Sequence, residues 1–168
     1  FKGKKTLGVH FRGTSYKRSP GHPMPASKSQ MFKIVKRLIV ENEYDMIFLV
    51  TEEDNYKKFF ENKFNDKIFF LKSSFRSDTN NAFKIYPRNL HRYKLGREAL
   101  IESLLLSHMD GLIYVTSNIT SAAIAWNINK KQFRYKINNG LNSKNIIISQ
   151  FLWYVKKYLP SFFGGFKS

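Results

Sequence analysis

The chain has no cysteine among its 168 residues. This absence excludes disulfide bonds, a thiolate nucleophile and any metal site built from cysteine. No apolar run reaches about 18 residues, the length that a membrane-spanning helix needs, so we expect no segment to cross a bilayer. The sequence also lacks the P-loop, the glycine-rich dinucleotide fingerprint and the nucleophile-elbow pattern, which removes the usual signals of three large enzyme classes.

Acidic residues are few, because 12 Asp and Glu stand against 29 Lys and Arg, and the formal net charge is +17. Such a charge predicts attraction to polyanions such as nucleic acids, anionic lipids or phosphorylated ligands. It does not choose among them, and a lysine-rich solvated surface explains the same excess. No zinc-finger, helix-turn-helix or RNA-recognition signature is present, so a nucleic-acid-binding module stays an alternative supported by charge alone.

The hydrophobic fraction of 42% and the length predict one folded domain. The chain begins at Phe1, and we expect it to be a fragment of a longer product. Apolar runs typical of buried strands alternate with amphipathic patterns typical of helices. The strands are predicted from Thr6 onward and over 46–50, 68–71, 111–115 and 133–137. This alternation predicts an α/β fold, a Rossmann-like parallel sheet with helices on both faces.

Five helices are predicted between and after these strands. Ser27 and Gln30 form a capping-box pattern that opens the first helix, which ends near residue 43, and Thr51 is expected to cap the second. The remaining helices are predicted over 96–108, 119–126 and 146–158, and we interpret 79–95 as a loop. In helix 96–108 we expect an apolar inner side and a solvated side that carries Glu98 and Glu102, which lie one turn apart. The expected inner residues are Leu100, Ile101, Leu104 and Leu105.

Polar clusters follow three of the predicted strands, and in a parallel sheet all three face the same edge. The clusters are His10 with Arg12, Thr51 with Glu52 and Glu53, and Thr116 with Ser117 and Asn118. An imidazole, a guanidinium and a helix start at one edge favour the binding of an anion. Each cluster also has a purely structural interpretation. These alternatives are a salt bridge for Arg12, a buried imidazole for His10, first-turn charges for Glu52 and Glu53, and helix capping for Ser117 or Asn118.

Three motifs resemble one known family. The run Gly8-Val9-His10-Phe11-Arg12-Gly13-Thr14-Ser15-Tyr16 with the later Gly21-His22-Pro23 is similar to a block of bacterial fucosyltransferase-like glycosyltransferases, which are related to the nodulation and O-fucosyltransferases. The stretches 47–53 and 96–126 resemble two further blocks in the family's order. The resemblance covers nearly the whole chain.

The resemblance implies a GT-B enzyme in which residues 1–168 form the C-terminal, GDP-fucose-binding half, without the N-terminal acceptor-binding half. It implies transfer of fucose to a glycan with inversion and without a metal or other cofactor. Arg12 would neutralise the β-phosphate, His10 would lie against the nucleotide, and Glu52 or Glu53 would read the guanine edge. The full implied donor site is His10, Arg12, Gly13, Thr14, Glu52, Glu53, Ser77, Ser117, Asn118, Ile119 and Thr120.

One position departs from the family pattern, because Ser15 stands where the family has Asp. A hydroxyl cannot act as a carboxylate base, so a degenerate, non-catalytic GDP-binding domain remains a further alternative. The C-terminal segment mixes aromatic and basic residues, and we expect either peripheral contact with an anionic membrane or packing back onto the domain. These residues are Trp153, Tyr154, Lys156, Lys157, Tyr158, Phe162, Phe163, Phe166 and Lys167. The expected location is the bacterial cytoplasm, at the inner membrane surface.

Overall fold

A computed structural model describes residues 3–77, 85–127 and 131–167, except for the side chain of Thr14. Five strands form one sheet in the order β3-β2-β1-β4-β5, and every neighbouring pair is parallel. The strands are β1 (Thr6–His10), β2 (Met46–Val50), β3 (Ile68–Phe69), β4 (Gly111–Tyr114) and β5 (Phe133–Lys136). The α/β, Rossmann-like prediction is confirmed, although β3 is two residues shorter than the apolar run 68–71 indicated.

The helices cover both faces of this sheet. They are α1 (Lys28–Glu41), α2 (Asp54–Phe64), α3 (His91–Ser107), α4 (Asn118–Ala125) and α5 (Ile146–Tyr158). On one face Leu7, Val9 and Ile113 pack with apolar residues of α1 and α2. On the other face Phe48 and Leu112 pack with the residues that α3 and α4 contribute, because alternate residues of a strand point to opposite sides.

Ser27 caps α1 as predicted, since its hydroxyl accepts the Gln30 N–H at 3.2 Å. The second half of the predicted capping box is absent, because Gln30 Oε1, which would accept the Ser27 N–H, accepts the side-chain N–H of Asn139 at 3.0 Å instead. Helix α2 begins two residues later than predicted. Its N-cap is Glu53 rather than Thr51, whose hydroxyl accepts the Glu53 N–H. The sequence therefore located both helices but not all of their capping contacts.

Helix α3 differs most from its prediction. It begins at His91, inside the segment interpreted as a loop; of that segment, residues 79–84 lie outside the described residues. Its buried side carries Glu98 and Glu102, whereas the residues expected inside, Leu100, Ile101 and Leu104, are exposed. The two glutamates lie on the side of the helix opposite these three apolar residues. They are buried because they line a pocket between α3 and the edge of the sheet.

The remaining elements follow the sequence closely. Helix α5 and strand β5 occupy the predicted positions, and Ser117 caps α4. Trp153 of α5 anchors this helix to the domain by donating its indole N–H to the Pro25 carbonyl at 2.7 Å. Within the part of the chain that the structure describes, no helix combines the length and the apolar character required to cross a membrane.

Candidate functional site

A small pocket lies beyond the carboxyl ends of β1 and β2, where helix α3 and the start of α4 close it. Ligands of open α/β sheets bind at this edge, next to the strand from which the chain winds in both directions, here β1. The central space measures about 80 Å³. The pocket is lined by His10, Arg12, Val50, Thr51, Glu52, Ser74, Phe75, Leu95, Glu98, Ala99, Glu102 and Ile119.

His10 is the last residue of β1, and its side chain faces the α3 and α4 side of the sheet. The residue is 3% exposed, and its Nδ1 has no hydrogen-bond partner among the described residues. Burial and, to a smaller extent, the nearby Arg12 charge together lower the pKa of His10 to about 3. At neutral pH the imidazole is therefore uncharged, and it offers a ligand hydrogen bonds rather than a positive charge.

Arg12 supplies the positive charge of the pocket. Its Nε lies 3.3 Å from Glu52 Oε1, and its guanidinium stacks over the Tyr16 ring at 3.8 Å from the centroid. The salt bridge considered from the sequence is thus present, and both of its partners line the pocket. Because Glu52 and Tyr16 hold the guanidinium from two sides, Arg12 is positioned before any ligand arrives.

Glu53, the alternative to Glu52 for reading a guanine edge, points elsewhere. Its carboxylate accepts hydrogen bonds from Lys17 Nζ at 2.9 and 3.2 Å and is buried outside the pocket lining. Gly13 passes so close to this carboxylate that a Cβ at position 13 would collide with it. Of the two glutamates, the structure brings only Glu52 into the same pocket as His10 and Arg12.

The residues around the start of α4 are mostly engaged in capping. The Ser117 hydroxyl accepts the Thr120 N–H at 3.2 Å, and the Thr120 hydroxyl accepts the Ser117 N–H at 2.9 Å. Ile119 lines the pocket, while Asn118 is exposed beside it. Ser77 lies outside the lining, where its N–H donates to the Glu52 carbonyl at 2.8 Å. The phosphate-binding role of these residues stays a prediction.

Replacing the N-cap Ser117 tests how much its hydroxyl stabilises the start of α4. We expect Ser117→Ala to lower the free energy of unfolding by about 1 kcal/mol, because the Thr120 N–H loses its acceptor. Urea denaturation measures this loss. Ser121→Ala, an exposed serine later in the same helix, is the matched control and should change stability by less than about 0.5 kcal/mol. Equal losses in both variants would contradict the capping role.

Two glutamates of α3 are site residues that sequence reasoning placed on a solvated face. Glu102 is 7% exposed, and its Oε1 has no hydrogen-bond partner among the residues described. Burial raises the pKa of Glu102 to about 7, although Ser74 and the Arg76 charge oppose the shift. This carboxyl is therefore close to half-protonated at neutral pH, which is the range that proton transfer requires.

Glu98, one helical turn earlier, is kept ionised. It accepts a bidentate pair from Arg88 at 2.6 and 2.7 Å and the Phe75 N–H at 3.2 Å. Burial alone would raise the pKa of Glu98, but these hydrogen bonds and the neighbouring arginine charges outweigh it and hold the pKa below its usual range. Two carboxyls in one pocket with separated pKa values are typical of functional sites.

No protein-family model matches the chain, and neither does any curated protein. The pocket itself is therefore the ground for a functional interpretation. Among residues 3–77, 85–127 and 131–167, no three His, Asp or Glu side chains lie close enough together to hold a metal ion. What the pocket offers is a pre-positioned guanidinium, a neutral imidazole and a carboxyl that titrates near neutrality.

Proposed function

We propose that the chain is the donor-binding half of a glycosyltransferase that transfers a sugar, fucose from GDP-fucose, to a glycan by a metal-independent inverting mechanism. The observation that carries the proposal is that Arg12 and His10 line one pocket at the carboxyl edge of the sheet. The motif that contains both residues resembles the donor-binding block of fucosyltransferase-like enzymes. Fold, pocket position and motif support the same function.

In this proposal Arg12 stabilises the charge that grows on the β-phosphate as the bond to the sugar breaks. A guanidinium offers several donors in a fixed plane, so Arg12 binds a phosphate oxygen while its Nε stays near Glu52. His10, uncharged because it is buried, positions the donor through a hydrogen bond. The space of about 80 Å³ is smaller than a typical ligand cavity, so the rest of the nucleotide extends over the sheet edge past Glu52.

Glu102 is a candidate for the proton transfers that accompany the reaction. An inverting transfer needs a base that removes the proton of the acceptor hydroxyl, and a carboxyl with a pKa near 7 can accept a proton at neutral pH. The acceptor is a glycan, and the proposed location is the bacterial cytoplasm, on the inner surface of the membrane.

Calorimetric titration with GDP, GDP-fucose and ADP at moderate salt tests the proposal. We expect both guanine ligands to bind more tightly than ADP, and Arg12→Ala to weaken them at least tenfold, because charge-assisted hydrogen bonds contribute about 1.5–3 kcal/mol each. Arg37→Ala, which removes an equally charged side chain from the exposed face of α1, is the matched control and should bind like the wild type.

The competing function makes the opposite prediction. A basic nucleic-acid-binding module would ignore guanine nucleotides and bind RNA or DNA with an affinity that falls steeply as salt rises. That result, with intact folding by circular dichroism, would overturn the glycosyltransferase proposal. Equal loss of nucleotide affinity in Arg12→Ala and Arg37→Ala would place the ligand outside this pocket.

A further inference from the structure

Helix α5 carries large apolar side chains on two opposite faces, one packed against the domain and one exposed. Its inner side holds the buried Ser149 and Trp153, and Trp153 fixes the helix to the Pro25 carbonyl. At 100° per residue, the opposite side carries the larger apolar set. We call this set the outer face of α5, and it consists of Ile147, Ile148, Phe151, Val155 and Tyr158.

The outer face is strongly exposed, with Phe151 at 65% and Tyr158 at 78% of their full accessible surface. Phe162 and Phe163 follow the helix closely, and both are also exposed, with ring centroids 4.3 Å apart. Of the aromatic residues expected either to contact a membrane or to pack back, Trp153 and Phe166 pack back. A contiguous exposed patch of this kind is rare on a monomer unless it contacts something.

The charges around the outer face have one sign. Lys156 and Lys157 lie in the last turn of α5, where Lys157 Nζ is 4.8 Å from the ring centroid of Tyr158 on the outer face, and the exposed Lys144 lies just before the helix. From residue 111 to the last residue, the sequence contains eight Lys and Arg and no Asp or Glu. The apolar face is therefore embedded in the most purely cationic part of the chain.

We propose that the outer face of α5 docks on the surface of an anionic lipid bilayer. A helix with aliphatic and aromatic residues on one side and lysines at its margins lies in the interface plane, with the apolar residues among the acyl chains and the lysines at the headgroups. The inference goes beyond the donor site and holds for any ligand bound there.

Two other occupants fit the observations less well. Nucleic acid is bound by cations and stacking rings, whereas three of the five side chains of this face, Ile147, Ile148 and Val155, are aliphatic and offer a base no ring to stack on. A second copy of the chain would bring like-charged lysines together, since a two-fold interface places the same surface on both sides. A lipid surface matches both the mixed aliphatic and aromatic side chains of the outer face and the lysines at the two ends of α5.

Docking in this way would bring the candidate site close to the membrane. Helix α5 packs against the 3₁₀ turn Thr14–Lys17, where Lys17 Nζ lies 5.5 Å from the Trp153 ring. Gly13 alone separates this turn from Arg12 in the chain. Because the outer face points away from the turn, helix α5, about 10 Å across, would lie between the bilayer and the loop that leads away from the pocket.

Co-sedimentation with lipid vesicles tests the inference. The chain should bind vesicles of equal parts phosphatidylcholine and phosphatidylglycerol, and bind pure phosphatidylcholine vesicles much less. The double variant Phe151→Ser/Val155→Ser keeps the net charge and should bind the anionic vesicles at least tenfold less. Lys156→Gln/Lys157→Gln should weaken binding about thirtyfold, because each lysine near an anionic surface contributes on the order of 1 kcal/mol.

Matched controls are available on α1 and β5. Val40→Ser removes a 74% exposed apolar side chain outside the outer face and should bind like the wild type. Lys36→Gln/Lys136→Gln removes two exposed lysines elsewhere and should weaken binding less than Lys156→Gln/Lys157→Gln. Since the altered apolar residues are exposed, unchanged thermal unfolding of each variant separates lost docking from lost folding.

Two results would overturn the proposal. If Phe151→Ser/Val155→Ser binds anionic vesicles as tightly as the wild type, binding depends on net charge alone. If the wild type sediments as a dimer without binding vesicles, and the same variant is a monomer, the occupant of the outer face is a second copy of the chain.

Discussion

Phe11→Ala is expected to lower the free energy of unfolding by about 3–5 kcal/mol, the usual loss when a fully buried aromatic ring is removed. Phe11 is 0% exposed, where the chain leaves β1 and meets α2. Its ring stacks on Tyr56 with 3.9 Å between centroids and lies 5.5 Å from that of Phe60. These rings belong to a packed core, so they cannot close the resulting cavity without strain.

The position of Phe11 links stability to the site, because it lies between His10 and Arg12. Its backbone N–H also donates to the Val50 carbonyl at 2.9 Å, which extends the pairing of β1 and β2 toward the pocket. Urea denaturation measures the loss. Phe151→Ala deletes the same ring from an exposed position and should cost less than about 0.5 kcal/mol. A small loss for Phe11→Ala would mean that the core around α2 can repack.

Glu102→Gln should stabilise the protein at alkaline pH. The folded-state pKa of Glu102 is raised to about 7 from its ordinary 4.5, so folding favours the protonated form. The wild type therefore loses stability as pH rises from about 4.5 through 7, where the folded carboxyl must become charged while buried. Gln is uncharged and similar in shape, so the difference in unfolding free energy between variant and wild type should grow by about 2–3 kcal/mol from pH 5 to pH 8.

This difference isolates Glu102 from other titrating groups. His10 has the opposite effect on the pH dependence, because its pKa is lowered on folding and the protein loses stability as pH falls below about 6.5. This contribution is the same in variant and wild type, so it cancels in the difference between their unfolding free energies. Denaturation at several pH values measures the difference. Glu43→Gln makes the same substitution at an exposed position and is the matched control for the loss of one carboxylate. The charged groups that act on Glu102 are Arg76, Glu98 and Glu52.

A Glu102→Gln difference that stays constant from pH 5 to pH 8 would contradict the buried, partly protonated carboxyl. It would mean that water or a cation reaches Glu102 in solution and restores an ordinary pKa. The same titration would then remove Glu102 as a candidate for proton transfer at neutral pH.

Local periodicity was sufficient for most of the fold. The apolar runs of β1, β2 and β4 are continuous because both faces of a central parallel strand are covered, so their pattern has one interpretation. Helix α5 was predicted with its observed bounds, and its ends also carry local signals, since the Asn145 side chain caps its start and a proline follows at position 160. Such signals lie within a few residues of the element that they define.

Helix α3 shows where this reasoning fails. Leu100 and Leu104 lie opposite Glu98 and Glu102, and apolar burial predicts that these leucines face the sheet. The structure instead buries both glutamates, and Arg88 together with the Phe75 N–H satisfies the Glu98 carboxylate. Neither partner can be identified from helical spacing, since both belong to segments outside the helix.

The candidate site was predictable to the extent that it follows strand ends. His10 ends β1, Arg12 lies two residues further on, and Glu52 lies two residues after β2, so parallel topology brings them together. The choice between Glu52 and Glu53 was not predictable, because it depends on Lys17, which is 36 residues away in sequence and pairs with Glu53. Sequence adjacency could not show which of two neighbouring carboxylates would be neutralised.

The two edge strands of the sheet, β3 and β5, limit how this protein can associate with other chains. An exposed strand edge is a template for adding a strand from another chain, and proteins oppose this with short edge strands and with charged side chains. Here one edge is β3, only two residues long, and the other is β5, which exposes Arg134 and Lys136. Strand addition and edge-to-edge aggregation are disfavoured at both margins, so contacts with other molecules are directed to the helices and the loops.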